Sequence, residues 1–94
     1  MKLYWTRRAL KEIDDIFAFV GRTNPDAAAD LVGLIEQKAA ALVFHPRMGR
    51  PGRNDETREL IVSGTPYILP YRVRGDRIEI LAALHSSRDW PDEL

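Results

Sequence analysis

Residues 57–85, TRELIVSGTPYILPYRVRGDRIEILAALH, decide the fold. From Thr57 onward the side chains alternate with a period of two, the signature of a half-buried strand. Arg58, Leu60 and Val62 point one way, and Glu59 and Ile61 the other. Ser63-Gly64-Thr65-Pro66 is a turn. Tyr67 to Val73 is a second strand, interrupted by Pro70, which cannot donate to a ladder and so predicts an edge position or a bulge. Gly75-Asp76 turns again. Arg77 to His85 reads as a third strand with Ile78, Ile80, Ala82 and Leu84 on one face and Glu79 and His85 on the other. Three strands joined by tight turns make an antiparallel meander.

Upstream the period changes to that of a helix. Thr6 is placed to cap a helix through about Val20, whose apolar stripe is Ala9, Ile13, Ile16, Phe17 and Val20, with Lys11, Glu12, Asp14 and Asp15 opposite. Asn24-Pro25 opens a second helix with the stripe Ala28, Leu31, Val32, Ile35, Ala39 and Leu42, stopped by His45-Pro46. Their short link predicts an antiparallel helical hairpin. Leu3, Tyr4 and Trp5 form a short strand before it, and residues 46–56 an ordered loop after it. The expected fold is a two-layer α+β domain in the order β-α-α-β-β-β, the hairpin lying on one face of an antiparallel sheet.

Ninety-four residues with 45% apolar and 30% charged side chains suit one domain spanning 1–94 with one core. Fourteen basic residues balance fourteen acidic ones, which argues against disorder. There is no cysteine, which removes disulfides, thiolate metal sites and thiol nucleophiles. The longest apolar run, Ala39 to Phe44, is far short of a membrane span of ~20 residues, and no apolar stretch follows the N-terminal charges. A soluble cytoplasmic domain without a membrane partner is the expectation. Within the neutral total, residues 45–88 carry eight arginines, no lysine and five acids. That excess is small for a nucleic-acid binder, and no sequence-specific nucleic-acid contact is expected.

Few residues suggest chemistry. His45 and His85 have no carboxylate at ligand spacing, so neither a metal nor a cofactor is expected. Ser86, Ser87, His85 and Asp89 sit on one strand end and cannot normally aim as a triad. Asp14-Asp15 diverge on a helix and read as a solvated face. Arg47, Arg50 and Arg53 step through the Gly/Pro loop, either to contact a partner or to pin the loop. Trp90, past the last strand, either covers the sheet or anchors a partner.

An ordered set of residues nevertheless resembles a known family. It comprises Trp5-Thr6 with Ala9, Asn24-Pro25 with Ala28, and His45-Pro46-Arg47-Met48-Gly49-Arg50-Pro51-Gly52. It continues through Thr57-Arg58-Glu59-Leu60, Tyr67, Tyr71-Arg72-Val73, Ile78, Ile80-Leu81, His85, Arg88 and Trp90-Pro91. Together, over about residues 3 to 91, they resemble the ParE branch of the RelE/ParE superfamily of toxin–antitoxin toxins.

The resemblance implies a growth-arresting toxin neutralised by a cognate, ParD-like antitoxin. It leaves two activities: poisoning of DNA gyrase by binding, as in ParE-type members, or ribosome-dependent cleavage of messenger RNA, as in RelE-type members. RelE-like sites use sheet lysines and arginines with a tyrosine or histidine near the C-terminus. Here no tyrosine follows Tyr71 and no lysine follows Lys38. The expectation is therefore a binding-type toxin with no catalytic residues. Arg58, Arg72, His85, Arg88 and Trp90 are its candidate target contacts. Leu10, Phe19, Leu34 and Val43, off the main helical stripes, and Arg47, Arg50 and Arg53 are its candidate antitoxin contacts. Glu59, with Arg58, Arg72, His85 and Arg88, would be the nuclease set of the alternative.

Overall fold

The computed structural model describes every residue except Glu93, whose charge lies outside the described residues. Both helices begin at the caps read from the sequence. Thr6 Oγ1 accepts from the Ala9 amide at 3.1 Å, and α1 runs Arg7–Gly21. Asn24 Oδ1 accepts from the Ala27 amide at 3.0 Å, and α2 runs Pro25–Ala41 with proline at its first position. The two helices pack on each other, and Ala9, Ile13 and Ile16 of α1 and Ala28, Ile35 and Ala39 of α2 are all buried. Two residues depart from the expected faces. Phe17 is 46% exposed, because it sits at the margin of the stripe rather than its centre. Glu12, assigned to the solvated face, is half-buried and has a structural partner described below.

The strands are β1 (Lys2–Trp5), β2 (Arg50–Pro51), β3 (Arg58–Ile61), β4 (Tyr67–Arg74), β5 (Arg77–Ile80) and β6 (Leu84–His85). Their order is β1-β5-β4-β3-β2, with β6 continuing alongside β4. The meander β3-β4-β5 is antiparallel as expected. The sheet as a whole is mixed, because β1 pairs parallel to β5, Leu3 opposite Ile78. A parallel pair needs a long crossover. The hairpin and most of the meander supply it, so no local turn records its direction. The loop 46–56 also contains β2, whose two residues pair with Glu59 and Arg58.

Pro70 marks a bulge, one of its two predicted settings. Its carbonyl accepts from the Leu81 amide at 2.8 Å, so its donor-less nitrogen faces the same side. There the partner chain leaves the ladder: Ile80 pairs with Tyr71, but Leu84 pairs with Ile68. Three residues, 81–83, thus oppose two, Leu69 and Pro70, and the extra residue reverses the alternation. Helix α1 satisfies the displaced backbone. Thr6 Oγ1 donates to Leu81 O at 3.0 Å, and Glu12 Oε1 accepts from Ala83 N at 3.1 Å.

This shift corrects the reading of residues 77–85 as one unbroken strand. Ile78, Ile80 and then Ala83 face the helices, joining Leu60, Val62, Leu69 and Tyr71 in the core. Leu84 turns to the opposite face, opposite Ile68, and His85 falls opposite Tyr67 on the helix side. Glu79 and His85 therefore lie on different faces of the sheet.

Candidate functional site

One cleft, about 570 Å³ in volume, runs between α1 and the chain beyond β6. Phe19 comes from α1, and His85, Arg88 and Trp90 from the C-terminal segment, with Arg8, Glu12, Asp15 and Arg22 along the helix side. Residues read as antitoxin contact (Phe19) and target contact (His85, Arg88, Trp90) are thereby brought into a single groove. The local geometry is fixed by His85. Its Nδ1 accepts from the Ser87 amide at 3.2 Å and lies 2.8 Å from Ser87 Oγ. Its ring meets Tyr67 edge-on at 5.5 Å, and its carbonyl accepts from the Arg88 amide and from Trp90 Nε1, each at 3.2 Å. Trp90 is half-buried under the Arg53 guanidinium, 4.5 Å from the ring centre. The Arg88 side chain is exposed and lines this cleft and a second one.

The second cleft, about 480 Å³, opens on the face of the sheet away from the helices. There Arg50 grips the Glu59 carboxylate with two nitrogens at 3.0 and 2.9 Å. Glu59 is only 8% exposed along its side chain while Arg50 is 53% exposed, so an enclosed carboxylate is met from the solvent side by an arginine tied to the β2–β3 ladder. On the same face, Arg72 Nε donates to Glu79 Oε1 at 2.6 Å across β4 and β5, while Arg74 and Arg77 stand 4.0 and 3.7 Å from that carboxylate. The hydrogen bond from Arg72 chiefly holds the Glu79 carboxyl below its ordinary value.

That shift has a sign. Glu79 contributes stability above the ordinary glutamate range, and the contribution is lost as pH falls through its lowered value. Urea midpoints measured against pH should fall on the acid side, and Glu79→Gln should flatten that fall. An unchanged acid limb in the variant would remove Glu79 as its source.

The other candidates are distributed elsewhere. Arg58 Nη1 donates to Gly49 O at 2.7 Å and approaches Arg47 O at 3.5 Å. It therefore pins the loop from the helix side, where Leu60 and Val62 also point. Arg47 is exposed at the loop's start. Leu10 and Phe19 are 52% and 58% exposed, while Leu34 and Val43 are half-buried, Leu34 against the core. The hairpin thus offers two apolar margins, with Leu10 and Phe17 on one side of α1 and Phe19 on the other.

Sequence reasoning missed the clamp at Tyr71. Its hydroxyl donates to Pro46 O at 2.8 Å and accepts from Gly49 N at 2.9 Å, joining the core to the loop that carries Arg47, Arg50 and Arg53. The one available signal was Gly49, where a Cβ would lie 2.5 Å from the Tyr71 ring.

The chain is similar to known proteins in sequence and in fold. Residues 3–90 match the family model described as the ParE toxin of type II toxin–antitoxin system, parDE. The chain is 44% identical over 93 residues to a protein of Sinorhizobium fredii named "Putative toxin Y4kP", covering 99% of this chain and 96% of that one. It is 30% identical over 87 residues to Toxin RelE2 of Caulobacter vibrioides, covering 93% and 97%. A solved structure from the chromosomal ParDE system of P. aeruginosa superposes with a TM-score of 0.82 at 31% identity, over 90% of this chain and 95% of the other. With a family model spanning nearly every residue and the same two-helix, mixed-sheet fold, the chain belongs to the ParE toxin family of type II toxin–antitoxin systems.

Proposed function

We propose that this protein arrests growth in the cytoplasm by binding and poisoning DNA gyrase, without catalysis of its own, and that a ParD-like antitoxin neutralises it. The observation that carries binding over cutting is the division of the nuclease set. Glu59 and Arg72 occupy the open sheet face, each tied in an ion pair. Arg58 and His85 occupy the helix side, engaged by loop carbonyls and Ser87. General acid, general base and phosphate-binding cations must converge within hydrogen-bond reach of one reacting group, and these do not share a face. The competing reading, a ribosome-dependent ribonuclease, draws on the relative named Toxin RelE2.

For the antitoxin, the cleft along α1 with Phe19 at its edge suits an amphipathic helix that folds on binding, while Leu10 on the other side of α1 and the loop arginines Arg47, Arg50 and Arg53 are further contacts outside that cleft. The target contacts are assigned to Arg88 and Trp90 with His85 beside them in the same cleft, and to Arg72 on the open sheet face. Expression of the lone gene should stop growth, and co-expression of the antitoxin should restore it. Arrested cells should raise the DNA-damage response and show no new codon-specific transcript ends. Ribosome-dependent cuts that vanish on changing His85 or Arg58 would overturn the proposal.

Arg88→Ala separates function from stability. Its side chain is exposed, so melting should change by no more than about 0.5 kcal/mol. Arrest should weaken while antitoxin binding persists. A fully toxic variant would make Arg88 a bystander, and an early-melting one would make it a structural clamp.

A further inference from the structure

The zero net charge of the chain conceals a polar division that only the fold reveals. Leu3, Trp5, Leu60, Leu69, Tyr71, Ile78 and Ile80 pack toward the helices, so strand alternation sends their neighbours to the open face. Two carboxylates stand there, Glu59 and Glu79, each held by one arginine, Arg50 and Arg72 respectively. Five further cations belong to the same surface: Lys2, Arg53, Arg74, Arg77 and Arg88. Lys2 and Arg77 are register partners on β1 and β5, and Arg74 pairs with Arg77 on β4. Arg53 and Arg88 overhang the far side, where they line the cleft with Glu59. Arg74 and Arg77 compete for a Glu79 carboxylate that Arg72 already binds at 2.6 Å, so that one anion cannot neutralise them. Each side of the face also carries an aromatic ring roofed by a guanidinium. Arg77 lies 4.1 Å from the Tyr4 ring centre, and Arg53 lies 4.5 Å from that of Trp90.

We infer that the open sheet face binds single-stranded nucleic acid through its phosphates, independently of sequence. Seven cations stand against Glu59 and Glu79 on the face and Asp55 and Glu56 at its margin beside Arg72 and Arg74, and this local excess supplies an electrostatic footprint that the zero net charge of the chain hides. Arginine predominates, and its planar fork suits phosphate oxygens. The Tyr4–Arg77 and Trp90–Arg53 stacks present flat surfaces on which unpaired bases can stack, which a duplex does not offer and an acidic peptide does not need. Five strands about 4.8 Å apart make a face of roughly 19 Å between the outer strands, room for a few nucleotides. The inference goes beyond gyrase poisoning and does not depend on which enzyme is the target, since it concerns the isolated chain.

The test is fluorescence anisotropy of the purified full-length chain with a labelled oligothymidylate of about 15 nucleotides. If about four of the five cations meet phosphates, log K should fall against log salt with a slope near −3, roughly a 50-fold loss between about 50 and 200 mM. Arg74→Ala combined with Arg88→Ala should reduce that slope by about 1.4, with melting checked in parallel. Tyr4→Ala should weaken binding several-fold and leave the slope in place. No binding at the lowest salt, or a double variant that binds as tightly with the same slope, overturns the inference. So does tighter binding of a duplex of equal length, or displacement by poly-glutamate charge for charge, which would assign the face to an acidic protein.

Discussion

Tyr71→Ala is expected to leave the chain largely unfolded at growth temperature. The ring is fully buried among the core side chains, and removing such a ring costs about 3–5 kcal/mol through lost transfer energy and the cavity left behind. The hydroxyl adds to this, because its loss strands the Gly49 amide and the Pro46 carbonyl, with a penalty of about 1–3 kcal/mol for a buried unpaired group. Against a total of about 5–15 kcal/mol for a native domain, that is most of the stability. Tyr71→Phe isolates the second part. It should lose about 2 kcal/mol and lower the melting point by roughly 8–16 °C. Burial pushes the Tyr71 hydroxyl up, partly offset by the Gly49 amide and the Arg58 charge. Its contribution is therefore complete below the ordinary tyrosine value and lost as pH rises through the raised one, a limb that Tyr71→Phe should lack. A phenylalanine variant as stable as the parent would show that the loop is held by Arg58 alone.

Gly49→Ala should also destabilise the domain, from the other side of the same contact. A Cβ there would lie 2.5 Å from Tyr71 Cε1, 2.7 Å from its hydroxyl and 3.0 Å from the Glu59 carbonyl. The ring is locked in the core and the carbonyl belongs to β3, so neither neighbour can swing aside. Overpacking of this kind costs about 1–3 kcal/mol or more. The new methyl also pushes on the hydroxyl that the Gly49 amide needs. Combined with Tyr71→Phe, the loss should be smaller than the sum of the two, since the first substitution removes one of the atoms that the second strikes. Urea titration of the four proteins in the cycle measures the coupling. Strict additivity would mean that the loop relaxes away from Tyr71 without cost.

The contrast between what the residues announced and what they did not has a physical basis. Thr6, Asn24 and Pro25 are local signals acting over three or four residues, and both helices begin where they stand. The alternation around Leu60 and Val62, and the turn at Ser63–Pro66, likewise specified the hairpin they lie in. The parallel pairing of β1 with β5 joins residues some seventy-five apart, and no local pattern encodes it. The bulge at 81–83 was half legible: Pro70 announced an interruption, but the run Leu81-Ala82-Ala83-Leu84 is apolar throughout and carries no phase. That lost residue of register placed His85 on the same face as Glu79, where the structure has it on the other. The charge of the open sheet face was invisible for the same reason, since Lys2 and Arg74 share a surface only once β1 joins the sheet.

The proposed function asks one small domain to serve two partners, an antitoxin and a target. The cleft along α1 and the open sheet meet at Arg88 and Trp90, which line the clefts on both sides. In the function proposed above, an antitoxin helix lying along α1 would reach the same residues assigned to the target, and neutralisation would follow from occupancy without a change in the toxin's fold.

The most direct measurement of the central claim is gyrase activity in a purified system. Supercoiled plasmid, gyrase, ATP and the full-length chain are incubated, and DNA forms are separated after protein denaturation. Linear, enzyme-cleaved plasmid should accumulate in proportion to the chain, disappear when the antitoxin is added first, and diminish with Arg88→Ala. Undisturbed supercoiling at every concentration, together with cleavage of messenger RNA on ribosomes by the same preparation, would contradict it.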